Sequence, residues 1–183
     1  MKKTRQFLCA VIALLTAVTM LTGPFQTEVQ AARTISTTAT EWFKSPPTFK
    51  KKGTYNINAR VTKKQQAYIK FIAPKTGKYT FTFYDFRNWG KKSSAKKGFA
   101  EVQMTKQYPH GLETLKTKTN GGKYYTLLLA SKWWYTRYVK GKKVTPTSEL
   151  YSRYSKISLK KGDVLYISTS WSNGKHQYKL KIK

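Results

Sequence analysis

The densest gathering of groups suited to binding is WWYTRYVKGKK, from Trp133 to Lys143. Four rings (Trp133, Trp134, Tyr135, Tyr138) stand beside four cations (Arg137, Lys140, Lys142, Lys143), with no acid among them. Exposed rings stack on sugars or bases, and neighbouring cations engage phosphate or uronate groups. On a strand, Trp133, Tyr135, Arg137 and Val139 share one face, and Trp134, Thr136, Tyr138 and Lys140 share the other. One Trp–Tyr pair is then expected in a core, and the other as an exposed ladder beside Lys140, Lys142 and Lys143. The plainer reading is that aromatics fill strands and pack across them. Two further aromatic-basic places stand out. Phe83 to Trp89 runs into Gly90-Lys91-Lys92, and Trp171 precedes Ser172-Asn173-Gly174-Lys175, whose Asn-Gly reads as a hairpin turn. Trp89 and Trp171 are therefore expected at loop tips, where recognition residues concentrate. Trp42 lies in an irregular-looking segment and is given no role.

Catalysis would need titratable groups brought together. Beyond residue 31 the acids are Glu41, Asp85, Glu101, Glu113, Glu149 and Asp163, and the histidines are His110 and His176. Glycoside hydrolysis needs two carboxylates facing one bond, and no pair is signalled here. Asp163 sits in a Lys-Gly-Asp turn, a place for local hydrogen bonding. Asp85 follows an aromatic run and is expected to pair with a lysine. His110 in YPHG and His176 in NGKHQ both read as loop residues. There is no G-x-S-x-G elbow, P-loop, G-x-G-x-x-G or H-E-x-x-H. Two isolated histidines and few acids do not suggest a metal site. The expectation is a protein that is not an enzyme and carries no cofactor.

The elements that position these groups begin after an apolar leader. MKKTRQF supplies three cations, LCAVIALLTAVTML is apolar, and Val29-Gln30-Ala31 puts small residues where a signal peptidase reads. Residues 1–31 are expected to be a signal peptide; the apolar run is short of the ~20 residues that span a bilayer. The only cysteine, Cys9, lies within it, so no disulfide or thiol chemistry is expected afterwards. The remaining 152 residues suffice for one packed domain. They carry 28 Lys and 5 Arg against six acids, a net of +27. Such a surface attracts polyanions. Lysine is a hydrated point charge, whereas bidentate reading of phosphate or guanine falls to Arg, so diffuse attraction is favoured over sequence-specific nucleic-acid recognition. Lysines also guard exposed strand edges.

Residues 32–53 read as an N-terminal tail or an irregular first strand, and 54–183 as the folded domain. Within it the hydrophobic period is two. Tyr55, Ile57, Ala59 and Val61 alternate with polar residues, as do Ala67, Ile69 and Phe71, and then Tyr79, Phe81 and Phe83. Further strands are expected at Phe99 to Thr105, Tyr124 to Ala130, Trp133 to Val139, Lys156 to Leu159, Val164 to Thr169 and Gln177 to Ile182. Short alternating runs bounded by Gly and Pro are the half-buried strand signal. The fold class is all-β, a single antiparallel β-sandwich of about eight strands.

Two segments carry a resemblance. YIKFIAPKTGKYTFTF, at Tyr68 to Phe83, is similar to the F-x-A-P-x-x-G-x-Y-x-F hairpin of bacterial pre-peptidase C-terminal-like domains and related jelly-roll modules. ISLKKGDVLYISTS followed by HQYKLKIK resembles their closing pair of strands. The resemblance implies a jelly-roll-like accessory domain of a secreted protein. The segment that is often Asp-rich in those domains is here KKSSAKKGFAEVQMTK, so their acidic-loop and metal chemistry is not carried over.

These features point to a secreted or cell-surface binding module. Its expected partner is an anionic polysaccharide or cell-wall polymer, held by lysine charge and exposed aromatics. Extracellular nucleic acid and a membrane surface are the alternatives. A nucleic-acid binder would line one groove with rings, and a membrane-active cation would show an amphipathic helix, which the sequence lacks.

Overall fold

The computed structural model describes residues 31–88, 99–119, 122–130, 137–139, 142–144, 151–172 and 174–183. Residues Ala32–Lys183 form one compact unit. In chain order its strands are β1 (Arg33–Thr37), β2 (Thr48–Phe49), β3 (Gly53–Ala59), β4 (Gln66–Ile72) and β5 (Gly77–Asn88). Then come β6 (Phe99–Tyr108), β7 (Gly111–Thr114), β8 (Thr117–Thr119), β9 (Gly122–Tyr124) and β10 (Thr126–Ala130). The last are β11 (Arg137–Val139), β12 (Lys142–Val144), β13 (Ser152–Leu159), β14 (Val164–Ser170) and β15 (His176–Ile182). One sheet has the order β1-β3-β15-β5-β13-β8-β9; the other runs β10-β6-β14-β4-β2, with β7 also on β6. A separate hairpin joins β11 to β12. The all-β sandwich expected from the periodicity is the fold.

The alternation sets the core directly. Ile57, Phe81, Phe83 and Leu180 from the first sheet meet Ile69, Phe71, Val102, Leu127, Leu129, Leu165 and Ile167 from the second in one buried cluster. Phe71 lies edge-on to Phe81 across the two sheets, with ring centroids 5.4 Å apart. Each such ring removed from water is worth about 1.5–3 kcal/mol, which is how a domain without disulfides is held together.

The strands outnumber the eight expected because several pairings are very short, and two of them are parallel. β1 pairs in parallel with β3, and β2 in parallel with β4. The segment read as a tail or an irregular first strand contributes an edge strand to each sheet. The Thr37 hydroxyl donates to the Tyr68 carbonyl at 2.7 Å, and the Tyr68 and Lys70 amides donate to the carbonyls of Ala39 and Pro47.

Two expected hairpins are sheet-to-sheet crossings. The Pro74–Gly77 turn takes the chain from β4 in one sheet to β5 in the other. The connection through Gly174 takes it from β14 to β15, again across the core. Trp171 consequently closes the end of the core and is buried, with its ring 5.4 Å from Phe86 and perpendicular to it. It is not at an exposed loop tip. A large indole at a crossing gains more by filling the gap between sheets than by facing water.

Candidate functional site

The site is made by an irregularity in β5. Gln177 of β15 lies opposite Arg87, yet Lys179 lies opposite Tyr84, so three steps along β5 match two along β15. The extra residue is taken up by a bulge in which Asp85 has φ +55°. Asp is among the few side chains that tolerate this left-handed conformation. The bulge lets Phe83 and Phe86, three apart, both enter the core. Asp85 itself is exposed and Arg87 half-buried. Bulges commonly re-aim side chains beside binding sites.

Beside the bulge lies a depression of about 390 Å³ lined by Thr34, Asn56, Asn58, Asp85, Arg87, Gln177, Tyr178 and Lys179. These residues come from β1, β3, β5 and β15, adjacent strands of one sheet. Three amide side chains meet two cations there, and the single carboxylate is matched: Lys179 Nζ is 2.9 Å from Asp85 Oδ2. The same ammonium stands 5.9 Å from the Tyr84 ring. The Gln177 amide donates to Asn58 Oδ1 at 3.0 Å. That bond leaves the Asn58 NH2 group and the Gln177 carbonyl for other partners. Amides offer donors and acceptors to hydroxyls, and Asp85, Arg87 and Lys179 together leave the groove a net charge of +1 toward an anionic group.

Below the depression is a buried polar chain. His176 begins β15 and is fully buried, where a loop was expected. Its Nδ1 lies 2.6 Å from the Gly174 carbonyl, which only accepts, so Nδ1 carries the proton. Nε2 then accepts from the Thr169 hydroxyl at 2.8 Å. Burial lowers the His176 pKa to about 4 against the smaller raising effect of the Gly174 carbonyl. Burial pushes the neighbouring Tyr178 phenol upward, against a smaller lowering effect of Thr169. These groups are saturated by one another and serve the fold.

Asp163 and Glu41, like Asp85, are engaged by lysines. Asp163 Oδ2 accepts from Lys106 Nζ at 2.6 Å and from the Lys160 amide at 2.8 Å. Burial works to raise its pKa, but these bonds outweigh it and the net shift is downward. Glu41 is paired with Lys44 at 2.9 Å. Among the described residues, no three His, Cys, Asp or Glu side chains gather as a metal site would require.

Of the residues picked from sequence, Trp89, Trp133, Trp134, Tyr135 and Lys140 lie outside the described residues. Arg137 and Tyr138 are in β11, and Lys142 and Lys143 are in β12, where Lys143 is opposite Tyr138, Lys142 opposite Val139 and Arg137 opposite Val144. Trp171 is in the core. The groove residues escaped sequence reasoning because Asn56, Asn58, Gln177 and Lys179 look like the ordinary polar half of alternating strands. One signal was present: Phe83-Tyr84-Asp85-Phe86 breaks the period of two, as a bulge does.

No protein-family model matches the sequence, and no curated protein matches it. Similarities to solved structures include the following two. One is to the surface-associated copper-binding protein CorA of Methylomicrobium album BG8, with a TM-score of 0.41 and 6% identity over 81% of this chain and 99% of that one. The other is to a β-glucosidase from Paenibacillus barengoltzii, with a TM-score of 0.32 and 12% identity over 83% of this chain. Only 13% of the β-glucosidase chain is covered.

Proposed function

We propose that the chain is exported and acts, without catalysis, as a binding module for an anionic cell-envelope polymer or polysaccharide. The supporting observation is the groove across β1, β3, β15 and β5, where amides suited to sugar hydroxyls sit beside Arg87 and Lys179. Its one carboxylate is already matched by Lys179, so an acidic ligand meets little repulsion. The surrounding lysine excess raises the local concentration of any polyanion. A non-catalytic reading is favoured by Glu41, Asp85 and Asp163 each being held by a lysine.

The test is a pull-down on purified wall polymer, acidic glycan and DNA across a salt series, with parent chain and a Gln177→Ala variant. Loss of the amide should weaken glycan or wall binding up to about tenfold at both ends of the series, since a hydrogen bond is worth about 0.5–1.5 kcal/mol. Parent-like binding by Gln177→Ala would remove the groove from the interaction. Stronger capture on DNA than on glycan would replace the proposed ligand class.

A further inference from the structure

The outward faces of the two sheets differ in kind. The groove face carries amides, threonines and cations. The outward face of the β10-β6-β14-β4-β2 sheet carries exposed apolar groups. Leu128 lies opposite Glu101 and Leu112 opposite Gln107, and cross-strand partners share a face. Phe99 belongs to the same outward set of β6, which alternates with buried Ala100, Val102 and Met104.

At another corner of this face stand Trp42 and Phe43, 41% and 61% exposed. Trp42 rests edge-on upon Tyr166, 5.9 Å between centroids. Tyr166 itself lies on β14 between Thr105 and Lys70. The turn that presents the two rings is built. The Lys44 amide donates to the Glu41 carbonyl at 3.2 Å, their side chains form an ion pair, and Ser45 holds φ +46°. Both flanks are tied to β4 through the Ala39 and Pro47 carbonyls. A non-glycine residue in the left-handed region is a strain that surrounding structure must sustain. Two large rings are thus held out into water by a fixed scaffold.

We propose that this face docks on an anionic lipid bilayer, with Trp42 and Phe43 entering the headgroup boundary. Indole and phenyl rings on a cationic protein surface are the combination that partitions to that boundary. The charge is complementary: residues 32–183 carry a net of +27, Glu41 is matched by Lys44, and Lys70 Nζ lies 5.7 Å from the Tyr166 ring. Glu101 is a carboxylate on this face and opposes the attraction, against a far larger cationic excess. A sugar platform fits less well, because the Trp42 and Phe43 rings stand at 86° and share no plane. Leu112 and Leu128 offer nothing to stack on. A second copy of the chain would bring one strongly positive body against another.

The compact unit Ala32–Lys183 is the form to use, since the apolar leader would insert by itself. It is sedimented with phosphatidylglycerol–phosphatidylcholine vesicles and with phosphatidylcholine vesicles at physiological ionic strength. Binding is expected to the anionic vesicles, with tryptophan emission quenched by lipid brominated near the headgroup. Phe43→Ser should weaken binding roughly ten- to hundredfold, the value of burying one ring, with an unchanged melting temperature. Gln177→Ala, on the opposite face, should bind vesicles as the parent does. Absence of vesicle binding by the parent overturns the proposal, as does binding without quenching. It is equally overturned if Phe43→Ser binds vesicles like the parent, or loses polymer binding while vesicle binding stays intact.

Discussion

A single buried imidazole sets how the molecule responds to acid. His176 is neutral in the fold, with both ring nitrogens bonded and a pKa lowered by burial from 6.5 to about 4. The unfolded chain takes up this proton near pH 6.5, and the folded chain resists it until about pH 4. Between those values the unfolded state binds more protons, so stability falls as the pH falls. It is complete above about pH 6.5, and the loss across the window is on the order of 3 kcal/mol. Denaturant melts of the parent and a His176→Gln variant at pH 7 and pH 5 check this. The variant is less stable at pH 7 but should lose less on acidification. An equal loss in both would assign the acid response between pH 7 and pH 5 to groups other than His176; Asp163, whose carboxylate pKa is lowered, acts only at still lower pH. Nothing local in NGKHQ distinguishes a buried histidine from a loop one. Its burial follows from Thr169 and Tyr178, which the chain brings beside it only after β14 and β15 are placed in different sheets.

At the scale of elements, the strands with clean alternation were legible and the turns were not. Tyr79, Phe81 and Phe83 and their counterparts Tyr178, Leu180 and Ile182 face inward as their period requires. A Gly-containing turn, however, serves a hairpin and a crossing equally well, because which sheet receives the next strand is decided by long-range burial. The N-terminal strands were hidden for a related reason: RTIST and TF have little hydrophobic pattern of their own and borrow their register from β3 and β4. Gly174 shows how tightly a crossing is fitted. It has φ +81°, and a Cβ there would lie 2.7 Å from the Thr62 carbonyl carbon and 2.8 Å from the Lys63 nitrogen. Gly174→Ala is therefore expected to destabilise the fold by roughly 2 kcal/mol or more, combining a strained dihedral with a backbone clash. The alanine at Gly77 makes the comparison, since φ there is not positive and no atom stands within 4 Å of the added methyl; Gly77→Ala should melt close to the parent. Equal melts for the two variants would show that the turn on residues 61–63 gives way freely.

For the whole molecule, charge was plain in the sequence and the faces were not, because the lysines are spread along the whole sequence while the groove and the aromatic corner arise from pairing. This separation makes salt a discriminating variable. Diffuse attraction to a polyanion releases counterions, so affinity falls steeply with ionic strength, whereas ring burial and amide hydrogen bonds are screened far less. Lys140, Lys142 and Lys143 changed together to Ser should therefore lower affinity for an anionic glycan mainly at low salt and make the salt dependence shallower. Trp133→Ala and Trp134→Ala, made separately, ask whether the aromatic stretch adds a stacking contact. An exposed indole lost from the contact should cost about 1–3 kcal/mol at low and high salt alike, by analogy with base stacking. Circular dichroism and a melting curve on each variant separate that result from a core truncation, which lowers stability by about 3–5 kcal/mol for a buried Trp. If both variants fold and bind like the parent at every salt, the stretch contributes only its lysines, and the groove beside the Asp85 bulge carries the specific part of the interaction alone.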